Sequence, residues 1–171
     1  MFTLREICDL GIQIERNGEK FYRDALKQPW SAPLASMLHR LAEEEVRHVD
    51  FFSKLKNKIP GEGRPPELDA LAKEMLSDIL GSQTFSLKEA DLSKIDTVEQ
   101  LRRIAIEFEK DTILFYEMVG SFATDKETAD QLEAIIAEEN QHVKFFEEYE
   151  GIQAGSHIEW MKKEMNRPRQ G

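Results

Sequence analysis

Apolar positions recur every three or four residues in four stretches of the chain. One stretch reads Leu34, Leu38, Leu41, Glu45, His48, Phe52, Leu55, Ile59, in alternating steps of four and three. A later one, Leu132, Ile135, Glu139, His142, Phe146, Tyr149, keeps the same rhythm. Two more stripes are Leu4, Cys8, Gly11, Glu15, Gly18, Tyr22, Ala25 and Ala105, Glu109, Thr112, Tyr116, Val119, Ala123. A period near 3.5 residues is what helices of an antiparallel bundle present to one another. Thr3-Leu-Arg-Glu6 and Thr97-Val-Glu-Gln100 are capping boxes, in which a threonine and a Glu or Gln three residues on satisfy free N–H groups at a helix start. The helices they open are expected to reach about Lys27 and Ala123. Ser31 and Asp125 are N-cap candidates for the next two. Pro33 is tolerated in a first turn. These helices should run to about Ile59, before Pro60-Gly61, and to about Glu150, with Gly151 as a C-cap.

The chain nearly repeats itself at an offset of 94 residues. Segments 3–55 and 97–149 share 13 identities without a gap, among them Glu15/Glu109, Tyr22/Tyr116, Glu44-Glu45/Glu138-Glu139, His48/His142 and Phe51-Phe52/Phe145-Phe146. Random pairing would give roughly three. Short loops within each half make antiparallel helix pairs, and the stretch of about 60–96 must join them by a long crossover. It contains Gly63-Arg-Pro-Pro66 and a candidate short helix from Glu67 to Leu80. A second candidate, His157 to Met165, lies in the tail. Residues 1–150 are thus expected to form one bundle, and 151–171 a tail or short helix.

The stripes are interrupted by charge at matching places. Glu15, Glu45, Glu109 and Glu139 lie in phase with the apolar residues, and so do His48 and His142. A charge in a bundle core is costly unless it is paired or ligates a metal. Three-residue spacing puts Glu45 beside His48, and Glu139 beside His142, with Cβ atoms about 5–6 Å apart. Glu15 precedes Glu45 by 30 residues, and Glu109 precedes Glu139 by the same number. In a hairpin with a short loop, that spacing brings both acids to one level. Four Glu and two His can then converge on one spot, where two divalent ions cancel four carboxylates. One Glu from each of two helices plus Glu-x-x-His from the other two is a known di-metal pattern. Oxygen donors with a minority of imidazole suit iron, with manganese as the alternative, and the lack of thiolate ligands disfavours structural zinc. The competing reading makes the Glu-His pairs inter-helix salt bridges that fix register.

Neighbouring residues receive plainer roles. Glu44 and Glu138 repeat but sit one position off the stripe, so they are read as surface residues, with support of a metal ligand as the lesser alternative. Tyr22 and Tyr116 lie seven residues after Glu15 and Glu109, on the same face. Core packing comes first for them, and a hydrogen bond to a metal ligand second. His39 and His157 have no Glu three residues back and read as surface histidines. Cys8 reads as a small buried residue. The Phe51-Phe52 and Phe145-Phe146 pairs read as core or dimer contacts.

Composition narrows the class. The 171 residues carry 33 acids against 23 bases, a net charge of −10, with 40% hydrophobic residues. That is apolar enough for a core. The acidity argues against a nucleic-acid partner. No apolar run approaches a membrane span. The first ten residues hold Arg5, Glu6 and Asp9 and show no signal-peptide stretch, so a cytoplasmic location is expected. One cysteine excludes an internal disulfide and any Cys-based zinc or redox centre.

On Glu15, Glu45-x-x-His48, Glu109 and Glu139-x-x-His142, the sequence resembles the rubrerythrin branch of the ferritin-like di-iron family over residues 3–150. The resemblance implies an all-α, ferritin-like four-helix bundle: two antiparallel helix hairpins, a long crossover, and a short C-terminal helix or tail. It implies two iron ions, bridged by Glu45 and Glu139, with Glu15 and His48 terminal on one and Glu109 and His142 on the other. Independently of the resemblance, the position of Tyr22 and Tyr116 on the ligand face makes them candidates to support catalysis from behind the ligands. Family members reduce hydrogen peroxide, oxidise ferrous iron with oxygen, or activate oxygen. Rubrerythrins proper carry a four-cysteine rubredoxin module, which the single cysteine here excludes. Electrons would come from an external donor such as a rubredoxin-like protein or a flavoprotein. Rubrerythrins also have a second glutamate three residues after the third-helix ligand, where this chain has Thr112. Bacterioferritins share the symmetric ligand pattern. The leading expectation is therefore an oxidoreductase reducing peroxide or oxygen, working as a homodimer. The alternatives are a ferroxidase that handles iron, distinguished by a large cage, and a non-enzymatic helical interaction module.

Overall fold

The computed structural model describes residues 4–59, 95, 97–121, 123 and 125–149. Four helices account for nearly all of them: α1 (Leu4–Ala25), α2 (Ala32–Lys58), α3 (Val98–Gly120) and α4 (Lys126–Glu148). No strand occurs among the described residues, and none of these helices is long and apolar enough to cross a membrane. The ends fall within three residues of those expected from the sequence. Thr3, the candidate helices expected at 67–80 and 157–165, and Gly151 lie outside the described residues.

Local chemistry accounts for the helix starts. Thr97 closes the expected capping box: its hydroxyl accepts from the Gln100 N–H at 3.2 Å, and the Gln100 side chain accepts from the Thr97 N–H at 3.2 Å. Asp125 accepts from the Thr128 N–H at 2.9 Å. Ser31 departs from expectation. It stands at the N-cap of α2 but makes no side-chain cap, and its hydroxyl instead meets the Tyr149 hydroxyl at 3.0 Å. That contact draws the end of α4 onto the start of α2. Pro33, having no N–H, leaves one fewer donor there to satisfy.

Each hairpin packs along its length, α1 on α2 and α3 on α4, and the hairpins meet through α1 with α3 and α2 with α4. Arginines lock the hairpin ends. Arg5 donates to the carbonyls of Lys56 and Ile59 at 3.1 and 2.8 Å, and Arg102 donates to the carbonyls of Phe146 and Glu147. Such cations at helix C-termini satisfy carbonyls that lack intrahelical partners.

The core consists of two apolar clusters. One holds Phe21, Tyr22, Leu34, Leu38, Leu41, Leu101, Ala105, Phe145 and Phe146. The other holds Cys8, Leu10, Ile14, Phe52, Leu55, Phe108, Phe115, Tyr116, Leu132 and Ile135. The chain passes from the second cluster to the first along α1 and α4, and from the first to the second along α2 and α3. Every packed pair is therefore antiparallel. Between the clusters, at mid-height of each helix, lies one polar layer: Glu15, Glu45, His48, Glu109, Glu139 and His142, all 0–2% exposed. The pairs Phe52 and Phe145-Phe146 are core, while Phe51 is half-buried and His39 is exposed.

Candidate metal centre

Helix geometry projects Glu45 with His48, and Glu139 with His142, from adjacent turns of α2 and α4. Hairpin pairing brings Glu15 of α1 and Glu109 of α3 to the same level. All six residues expected at the site are thus gathered in one layer, as two overlapping groups. Glu15, Glu45, His48 and Glu139 offer ligand atoms within 4.8 Å of one another, and so do Glu109, Glu139 and His142. Glu139 belongs to both. Its Oε1 lies 2.9 Å from His48 Nδ1, and its Oε2 lies 2.7 Å from His142 Nδ1. Around these, His48 Nδ1 is 3.4 Å from Glu15 and 3.6 Å from Glu45, and His142 Nδ1 is 3.5 Å from Glu109.

The outer nitrogens of both imidazoles are held across the hairpin interface. His142 Nε2 meets Glu44 Oε2 at 2.9 Å, and His48 Nε2 meets Glu138 Oε2 at 3.2 Å. Reading Glu44 and Glu138 as surface residues is therefore corrected. Glu44 is only 14% exposed and Glu138 38%, and each supports the histidine of the other hairpin. Burial pulls Glu44 up, but His142, followed by Arg40 and Arg47, holds its carboxyl below the usual range. The bond from His48, with burial opposing, keeps Glu138 low as well. As ionised acceptors, both hold a ring proton on Nε2, so each Nδ1 faces inward as the atom that would take a metal or, in its absence, a second proton.

Each Nδ1 points at carboxylate oxygens. Both oxygens of Glu15, Glu45 and Glu139, Oε2 of Glu109, and both Nδ1 atoms are buried without a hydrogen-bond partner among the described residues. Buried polar groups are nearly always satisfied. An inward-facing set of bare oxygens and nitrogens is what cations resolve. Four carboxylates and two imidazoles fit two divalent ions in charge and in donor type. In the metal-free chain protons must substitute. Burial, with Glu15 beside it, pushes Glu45 well above its usual value. Burial, with Glu139 beside it, lifts Glu109 to about 8. Burial would raise Glu139 too, but His142 and His48 hold it far below the carboxylate range. Burial opposes charge on both histidines, yet Glu139 and the other acids raise them.

The tyrosines behave differently from each other. Tyr22 donates its hydroxyl to Glu109 Oε1, across the bundle. Burial, reinforced by Glu109, keeps its phenol protonated. The Tyr116 hydroxyl is buried with no hydrogen-bond partner among the described residues, and its ring stacks on Phe52 at 5.3 Å. Core packing is the role the structure supports for Tyr116. Thr112 turns its hydroxyl back to the Phe108 carbonyl at 2.9 Å, away from any ligand role. Cys8 is buried as expected, and burial lifts its thiol to about 11.

Fold and site together define a ferritin-like carboxylate bundle whose buried Glu/His cluster is compatible with a di-iron site. The sequence profile of the rubrerythrin family matches residues 6–150, and the chain belongs to that family. Neither a curated protein nor a solved structure matches it.

Proposed function

We propose that this protein is a di-iron oxidoreductase that reduces hydrogen peroxide or oxygen with electrons from an external donor. The observation that carries this reading is Glu139, whose two oxygens face the inner nitrogens of two different histidines. Glu15, Glu45 and His48 would hold one metal and Glu109 and His142 the other, with Glu139 available to both. Two ferrous ions held there would supply the two electrons that cleave one O–O bond. The chain's residues do the rest. The apolar clusters above and below the layer exclude bulk water, and Tyr22 keeps its proton and holds Glu109 in place. Glu44 and Glu138 hold the Nε2 protons that orient both imidazoles. The external donor, a rubredoxin-like protein or flavoprotein, and a cytoplasmic homodimer complete the proposal.

Elemental analysis of iron-loaded protein should find two metals per chain. Peroxide added to the reduced protein should be consumed with oxidation of the donor. Because Glu139 serves both groups, Glu139→Ala should empty both positions, whereas Glu109→Ala should leave one filled. Less than one metal per wild-type chain would sink the reading and leave the helical interaction module.

Thr112 favours a second reading. With its hydroxyl spent on Phe108, the site has six ligands and lacks a further glutamate on α3. Bacterioferritins share that symmetric set, so oxidation and storage of ferrous iron is the alternative. Light scattering separates the two: a dimer fits the reductase, and a large cage fits storage.

A further inference from the structure

The outer layer of the site departs from the internal repeat in its arginines. The repeat supplies two imidazoles, His48 and His142, and two supporting carboxylates, Glu138 and Glu44. It supplies only one guanidinium between them. Arg47 Nη2 lies 3.1 Å from Glu44 Oε1, and its Nη1 lies 3.7 Å from Glu138 Oε2. The residue at the matching position of the second half is Gln141. Arg40 also reaches Glu44, at 3.5 Å, but its match is Ala134. Among the described residues Arg47 alone therefore touches both acids, each of which accepts from a histidine of the opposite hairpin. Its planar fork suits that task, because one guanidinium can face two carboxylates where an ammonium is a single point charge.

We infer that Arg47 is a positioning residue that ties the two histidine–carboxylate pairs into one unit and sets the reduction potential of the metal pair. The inference rests on the di-metal reading above. A carboxylate shared with a cation pulls less on the imidazole proton. Without Arg47, Glu44 and Glu138 would pull harder on the Nε2 protons, and both imidazoles would become stronger donors to metal. Stronger donors favour the oxidised ions, and so does loss of a nearby positive charge. Both effects have the same sign, so the potential falls when Arg47 is removed. The side chain is 58% exposed and borders an open groove of about 530 Å³ with Asp50, Lys54 and Glu127. Its ion pairs are thus of the surface kind, which add little to folding stability.

The test compares wild type with Arg47→Gln, Arg47→Lys and a control, Arg103→Gln. The control removes an equal charge from an arginine that, among the described residues, pairs with the exposed Glu107. Each protein is titrated with cobalt(II) alone, following the visible ligand-field bands, and the iron-loaded forms are titrated potentiometrically. Arg47→Gln should tighten cobalt binding, because the imidazoles donate more strongly and a neighbouring positive charge is gone, and should lower the iron potential. Arg103→Gln should change neither, and Arg47→Lys should fall between. Thermal unfolding of all four should coincide closely. If Arg47→Gln matches Arg103→Gln in potential and cobalt affinity, the inference is overturned while the di-metal reading stands. If Arg47→Lys matches wild type, bridging by the fork is overturned. If wild type binds fewer than two cobalt ions, the di-metal reading falls, and this inference with it.

Discussion

Single side chains at the site carry unequal loads, although the repeat makes them look equivalent. Tyr22 and Tyr116 occupy matched positions, but only Tyr22 spends its hydroxyl on a ligand, Glu109. Tyr22→Phe should destabilise the protein by about 1–3 kcal/mol, because it leaves a buried carboxyl oxygen without its hydrogen bond. Tyr116→Phe should be near neutral or slightly stabilising, because it removes an unpaired buried hydroxyl. Urea unfolding of the two variants checks the difference, and equal losses would contradict the assigned hydrogen bond. Gly18 is a second case. A Cβ there would lie 2.9 Å from Glu45 Oε1 and 2.9 Å from the Phe108 ring. Both neighbours are confined in the core, so neither can yield freely. Gly18→Ala should cost about 1–3 kcal/mol by overpacking and weaken metal binding by shifting Glu45. Calorimetry and metal titration read the two effects separately.

The six inward residues were legible in the sequence because each one interrupts an apolar stripe where a charge has no solvent. Glu44 and Glu138 were not. They sit one position off the stripe, where a helix residue normally faces water, and their partners lie on the other hairpin. A signal did exist: each repeats at 94 residues beside a ligand glutamate, and a metal-bound imidazole needs an acceptor for its other nitrogen. The sequence placed Tyr22 beside Glu15, on its own helix face. Packing gave its hydroxyl to Glu109 instead.

Among elements, the helix starts separate local from tertiary control. Thr97 and Asp125 close capping bonds within their own turns, so Thr97→Ala and Asp125→Ala should each cost about 0.5–2 kcal/mol. Ser31→Ala should not show this capping loss, because its hydroxyl faces Tyr149 and not its own helix. A double-mutant cycle with Tyr149→Phe would find coupling between Ser31 and Tyr149. No such coupling would contradict the assigned contact. Helix phase and length followed from the stripes. The Ser31 role did not, since it depends on where α4 ends in space.

For the molecule as a whole, the polar layer links metal, protons and stability. An unfolded glutamate titrates near 4.5, while Glu109 in the fold is lifted to about 8. Between those values the metal-free fold holds a proton that the unfolded chain has released. Stability therefore falls as pH rises through this window. His48 and His142 act in the same direction: their folded values are raised, so their contribution is present below about 6.5 and is lost on the way up. The melting temperature of metal-free protein should decline from pH 5 to pH 9. Metal replaces those protons, so metal-loaded protein should hold its stability and the stabilisation by metal should grow with pH. A metal-free melting temperature that rises with pH would contradict a buried, protonated carboxylate layer.

The sequence by itself determined four amphipathic helices, their pairing as a repeated half, and the six residues that break the apolar phase. Periodicity and short loops are local properties, and they suffice for that much. Tertiary structure alone decided that Glu139 faces both histidines, that Glu44 and Glu138 cross between hairpins, and that Tyr22 serves Glu109 while Tyr116 serves none. Those outcomes depend on the register of α2 against α4 and of α1 against α3. That register is set by how the two apolar clusters pack around the layer, and no spacing along a single helix encodes it.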